Sequence, residues 1–226
     1  MKRTAILTCI IFMALSLKSQ GSIIMTTKLK NGNAIETAIS NIDSITFYVD
    51  TESVVINGIR WSTRNVGMPG TFTANPEDAG MFYQWNRPIG WSSTNPMVNS
   101  NGFSSWDSST PTGNSWEKAN DPCPPGWRVP THAELQSLIS SGSRWRTLNG
   151  VRGRLFGSGP HTVFLPAAGN RNNSNGALNN EGSAGSYWSG TPDISTHASY
   201  LGFGSGHAST YSNNRSFGYS VRCVSE

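Results

Sequence analysis

"DPCPPGWRVPTHAELQSLI", residues 121–139, decides the fold. Thr131 and Glu134 have the spacing of a capping box, in which the Thr hydroxyl accepts from the third helical N–H and the Glu carboxylate reaches back to the cap. Pro130 holds the residue before the cap extended. Leu135, Leu138 and Ile139 then share one face at helical spacing, which predicts a helix near 131–141 that ends at Gly142. Upstream, the prolines and Gly126-Trp127 offer no helical alternative, so Asp121–Val129 reads as a stiff, extended lead-in containing Cys123.

Cys123 acquires a partner once the start of the chain is read. "MKRTAILTCIIFMALSLKSQG" opens on Lys2 and Arg3, continues with an apolar run from Ala5 to Leu17 and ends in small polar residues. That is the pattern of a secretory signal peptide over 1–20, and the run is too short for a span of about 20 residues. Removing it takes Cys9 away and leaves Cys123 and Cys223. An even count in an exported chain reads as a disulfide, here joining the helix lead-in to the last strand, in preference to two free buried thiols.

Of 226 residues, 13% are charged, well under the average of about 25%, while Gly (24), Pro (12) and Trp (8) are abundant. This is the composition of a loop-rich exported domain. The formal charge of +4, less Lys2, Arg3 and Lys18 of the leader, falls to +1, and no basic run remains. Nucleic acid and anionic membranes are therefore not expected partners, and no membrane span is expected in the mature chain.

Residues 22–50 read as a small β-hairpin/strand module, with Asn31-Gly32 as the turn and "NIDSITFYV" as a strand. From residue 52 the texture changes. "VVINGIRWSTRNVG" alternates around Asn57-Gly58, 92–120 is a polar excursion carrying Trp106 and Trp116, and "GSYWSGT", "ASYLGFGSG" and "SFGYSVRCV" read as three short antiparallel strands.

Taken together, "INGIRWSTRNVGMPGTF", "GMFYQWNRPIGW", "DPCPPGWRVPTHAELQSLI", "VFLPAAGNRN", "GSYWSGT" and "YSVRCV" resemble the Fibrobacter succinogenes major paralogous domain over 52–226, a family common in exported proteins of Bacteroidetes. The resemblance implies an α+β fold with a C-type lectin-like core: one principal helix, short antiparallel strands, long loops, and a disulfide between the helical region and the last strand. It implies a distant kinship to the formylglycine-generating enzymes. Their activity needs a cysteine pair near the C-terminus of the fold, and only Cys223 lies there.

No catalytic constellation emerges. His132, His161, His197 and His207 show no metal-ligand spacing, Gly-x-Ser-x-Gly is absent, and Glu77, Asp78, Asp107, Glu117 and Glu181 have no spacing that pairs two of them. No metal and no cofactor are expected. Trp61, Trp127 and Trp188 read as core. Trp91, Trp106 and Trp116 lie in polar surroundings, and Arg171 and Arg215 in Asn-rich loops. These five are the candidate ligand-binding residues; the competing readings are loop packing, which the sequence favours for the tryptophans, and a loop-ordering hydrogen-bond fan for the arginines. The expectation is an exported, adhesive binding or surface-interaction module, not an enzyme, that recognises a glycan or protein in the periplasm, at the cell surface or outside it. The alternatives are a cell-envelope hydrolase with loop-borne acids and a purely structural assembly subunit.

Overall fold

Thr131 caps the one α-helix among the described residues, α1 (His132–Ser140). The computed structural model describes residues 14–17, 23–28, 34–38 and 52–226. Thr131 Oγ1 accepts from the Glu134 N–H at 3.3 Å, and Glu134 Oε2 accepts from the Thr131 N–H at 2.7 Å. The same carboxylate takes a fork from Arg128, at 2.8 and 2.6 Å. Burial pushes the Glu134 carboxyl up, but hydrogen bonds from Arg128 and Thr131 together with the Arg128 charge outweigh it and hold it below the usual range. A depressed carboxyl stabilises the fold above its unfolded pKa, and that contribution is lost as pH falls through the folded value. Glu134→Gln is therefore expected to cost ~1 kcal/mol near neutral pH and less at an acidic pH below the usual carboxylate range. Denaturant melts of both proteins at the two pH values check this, and an equal difference at both would refute it.

The chain separates into two units, Met1–Val49 and Asp50–Glu226. In the first, β1 (Ala14–Leu17), β2 (Ile23–Lys28) and β3 (Ala34–Ala38) form an antiparallel sheet. β1 falls within the stretch read as a leader. The rest of that leader, the Asn31-Gly32 turn and the strand expected over 41–49 lie outside the described residues.

In the second unit, β4 (Ser53–Ile56) and β5 (Ile59–Ser62) are joined by Asn57-Gly58 with φ of 51° and 80°, the left-handed pair that a two-residue hairpin requires. Phe82–Tyr83 (β6) pairs with Gly90–Trp91 (β7), and Trp127–Arg128 forms β8. β9 (Ser143–Leu148), β10 (Val151–Ser158) and β11 (His161–Pro166) make a meander, followed by the small pair β12 (Asn170–Arg171) and β13 (Leu178–Asn179). β14 (Gly185–Pro192), β15 (His197–Phe203) and β16 (Ala208–Asn214) form a second antiparallel meander. β17 (Val224–Ser225) closes a sheet of order β4-β5-β17-β8.

Leu135 and Leu138 of α1 pack on Phe156, Leu165, Leu201 and Val224, so the helix face read from sequence joins both meanders and the last strand in one core. The lead-in is pinned beside it. Asp121 accepts from the Cys123 and Val129 N–H groups at 2.9 and 3.1 Å, and Cys123 is bonded to Cys223.

The helix and the bridge are where the sequence places them, but the α+β, C-type lectin-like class is not. Among the described residues strand far outweighs helix, and the strands divide among several small sheets. The physical reason is the density of chain reversals. Asn57, Asn86, Asn149 and Asn180 and thirteen glycines have positive φ, so few segments run far enough to repay the cost of starting a helix. A second correction concerns the final strands. "SFGYSVRCV" is not the third strand of the meander. That strand is Ala208–Asn214, while Tyr219 and Ser220 make only isolated bridges to Tyr83 and Tyr187.

Candidate functional site

The β14–β15–β16 meander builds a groove from alternation alone. Trp188 lies opposite Tyr200, and Tyr200 opposite Tyr211, so the three rings share one face. Gly202 occupies the same face two residues on. A Cβ there would meet Tyr211 Cδ2 at 2.9 Å and Tyr200 Cε2 at 3.1 Å, so the absent side chain is what keeps the groove open. Phe217 and Tyr219 arrive from the segment after β16. Tyr219 lies 4.3 Å from Trp188, 4.7 Å from Tyr200 and 5.6 Å from Phe217 between ring centroids.

The groove encloses about 470 Å³. Its rings are Tyr200, Phe203, Tyr211, Phe217 and Tyr219, and its rim carries the amides of Asn170, Asn179, Asn180 and Asn213 with Ser186 and His207. Asn213 Nδ2 donates to the Tyr219 hydroxyl at 2.8 Å, and His207 Nε2 lies 2.8 Å from the Tyr211 hydroxyl. Burial pushes the Tyr219 and Tyr200 phenols up, so both remain neutral hydroxyls. None of the lining residues is a carboxylate, an ammonium or a guanidinium. Aromatic faces beside amides that both donate and accept suit a neutral, polyhydroxylated ligand.

None of the five residues singled out from sequence lines this groove. Trp91 is buried, 4.8 Å from the Trp106 ring, whose Nε1 donates to the Asn173 carbonyl at 3.0 Å. Half-buried Trp116 donates to the Asn120 carbonyl at 2.9 Å and packs edge-on to Trp85. Arg171, 1% exposed, donates to the Ser92, Thr94 and Gly176 carbonyls and to Asn95 Oδ1. Arg215, 2% exposed, donates to the His197, Gly113 and Ile194 carbonyls and lies 4.1 Å over the Trp85 ring. Burial lowers the pKa of both guanidiniums. Each of these side chains orders a loop. The groove residues that sequence reasoning missed are Tyr200, Tyr211, Phe217 and Tyr219 with their amides. The available signal was the every-second-residue spacing of Tyr200 and Gly202 and of Tyr211 and Asn213.

Acids from separate loops line one cleft elsewhere. Glu77, Asp78 and Glu181 line a second cleft of about 590 Å³ with Arg152. Glu77 accepts from Asn149 Nδ2 at 2.7 Å, and Asp78 from the Asn75 N–H at 2.8 Å. No three His, Cys, Asp or Glu side chains among the described residues are grouped to hold a metal. No helix among them is long and apolar enough to cross a membrane.

Residues 57–225 match the family model of the Lcl C-terminal domain. No curated protein and no solved structure matches the chain.

Proposed function

The chain belongs to the Lcl C-terminal domain family, a bacterial domain family, and from that premise we propose that it is an exported, non-catalytic module that binds a neutral saccharide in the β14–β16 groove. The observation that carries this reading is the groove's composition: a floor of aromatic rings, a rim of amides, and no carboxylate, ammonium or guanidinium among the lining groups. Sugars present apolar C–H faces to rings and hydroxyls to amides, and each half of the groove answers one of these. The leader pattern over 1–20, and the likeness of 52–226 to the Fibrobacter succinogenes major paralogous domain, support placement outside the cytoplasm.

The test is a panel of neutral oligosaccharides against the mature protein. Asn179→Ala and Tyr211→Ala, both at exposed positions, are expected to weaken binding about tenfold each, a loss of ~1.4 kcal/mol. Phe103→Ala, outside the groove, is expected to leave binding unchanged. Binding that survives both groove changes would sink the site. A second reading, an envelope hydrolase, is favoured by the placement of Glu77, Asp78 and Glu181 in the lining of one cleft. Recovery of the oligosaccharides intact after incubation separates the two.

A further inference from the structure

Sheet edges expose unpaired backbone groups, and proteins protect them with charge, proline, bulges or a covering segment. In the second unit the long edges are protected in this way, with one exception. β9 carries Arg144 and Arg146 at alternate exposed positions. β4 and β11 pack against each other. β14 is covered by Gly169, which bridges to Gly185, and by Ser220, which bridges to Tyr187. β16, the other edge of that same meander, packs with α1, but along its outer side it has neither charge, proline, bulge nor a bridging segment. Its seven residues, "ASTYSNN", include no charge and no proline, and its pairing with β15 runs unbroken from His197–Asn214 to Phe203–Ala208. Among the described residues no backbone hydrogen bond joins the outer side of Ala208–Asn213 to another segment. At its midpoint stands Tyr211, 42% exposed, one of the few large side chains left in water.

We propose that β16 is an isologous interface at which a second copy of this chain pairs antiparallel, giving a continuous sheet of order β14-β15-β16-β16-β15-β14. The occupant is read from the strand itself. Antiparallel pairing that uses all seven residues about a two-fold axis puts Tyr211 opposite the partner's Tyr211. It also puts Thr210 opposite Ser212 twice, and Ser209 opposite Asn213 twice. An aromatic pair flanked by hydroxyl and amide pairs is a favourable cross-strand set, and no like charges meet. A charged or proline-bearing partner strand would gain less from so neutral an edge. Because Tyr211 and Asn213 also line the groove, pairing brings the two grooves together along a shared border. The interface stands whether or not the groove binds a sugar.

The experiment is sedimentation equilibrium of the full mature chain together with Tyr211→Lys and Tyr211→Glu. The wild type is expected at twice the monomer mass. Each variant is expected at the monomer mass with an unchanged circular dichroism spectrum, because like charges then face each other across the axis. Mixing the two variants is expected to restore the doubled mass, which happens only if position 211 faces position 211. A monomeric wild type, a variant that keeps the doubled mass, or a mixture that stays monomeric overturns the proposal.

Discussion

Cys123→Ser is expected to lower the free energy of unfolding by ~2–5 kcal/mol, the range for native bridges in exported domains. The bridge spans a sequence separation of 100 residues, and the chain-entropy account puts the restriction of so long a loop at up to ~4.7 kcal/mol. The native side of the balance adds to this. Cys223 precedes β17, which pairs with both β5 and β8 and so holds the centre of its sheet. Cys123 holds the lead-in that sets the start of α1. Without the bridge, the lead-in keeps the β8–β17 pairing and the Asp121 carboxylate, whose pKa burial pushes up. Urea melts with and without reductant give the check. Reductant should bring the wild type down to the variant and leave the variant where it was. A variant within ~0.5 kcal/mol of the oxidised wild type would refute the argument.

Arg171→Met is expected to cost ~3–5 kcal/mol although it breaks no ion pair. Methionine fills a similar volume but donates nothing. The Ser92 and Gly176 carbonyls then lose the donor that Arg171, 1% exposed, brings them, while the Thr94 carbonyl keeps the Ser92 hydroxyl; each unsatisfied group costs ~1–3 kcal/mol, with incomplete additivity. Lysine should not rescue the loss, since one ammonium cannot reproduce a planar fork aimed at several acceptors. Because the Arg171 backbone exchanges hydrogen bonds with Gly218, next to the groove residue Tyr219, sugar binding should weaken with stability. Thermal melts and faster amide exchange over 92–98 are the readouts. A variant that melts with the wild type and exchanges no faster there would overturn this account.

The contrast between these two sites shows what could be read from sequence and why. Residues 121–139 were legible because their signals are local: a cap, a proline and a three-to-four spacing all act within one or two turns. The disulfide was legible because, with Cys9 assigned to the leader pattern, the remaining two cysteines leave one pairing. Asn57-Gly58 announced its hairpin, while the same dipeptide at Asn149-Gly150, which joins Leu148 to Val151, lay in a stretch with no other strand signal. The fold class was misjudged because one well-marked helix was given more weight than many short strands, each too brief to show a period. β16 was missed because "ASTYSNN" holds one aromatic among small polar residues, and its strand character comes from Tyr200 across the ladder. The groove was missed for a related reason. Its rings come from positions 200, 211, 217 and 219 and its amides from 170, 179, 180 and 213, which only folding brings together. The tryptophans attracted attention by their size, yet size is what fits a ring to a core: Trp85 and Trp188 are 0% exposed.

Arg171 and Arg215, with Arg154 and Arg222, point most of their donors at main-chain carbonyls and not at side chains. An anchor that grips the peptide group does not depend on which amino acid carries it. Loop residues such as Thr94 and Ile194 can therefore be exchanged over generations without a compensating change in the arginine that holds them. The domain is thus a frame on which surface loops can diversify one residue at a time, with few of the paired substitutions that salt-bridged loops demand.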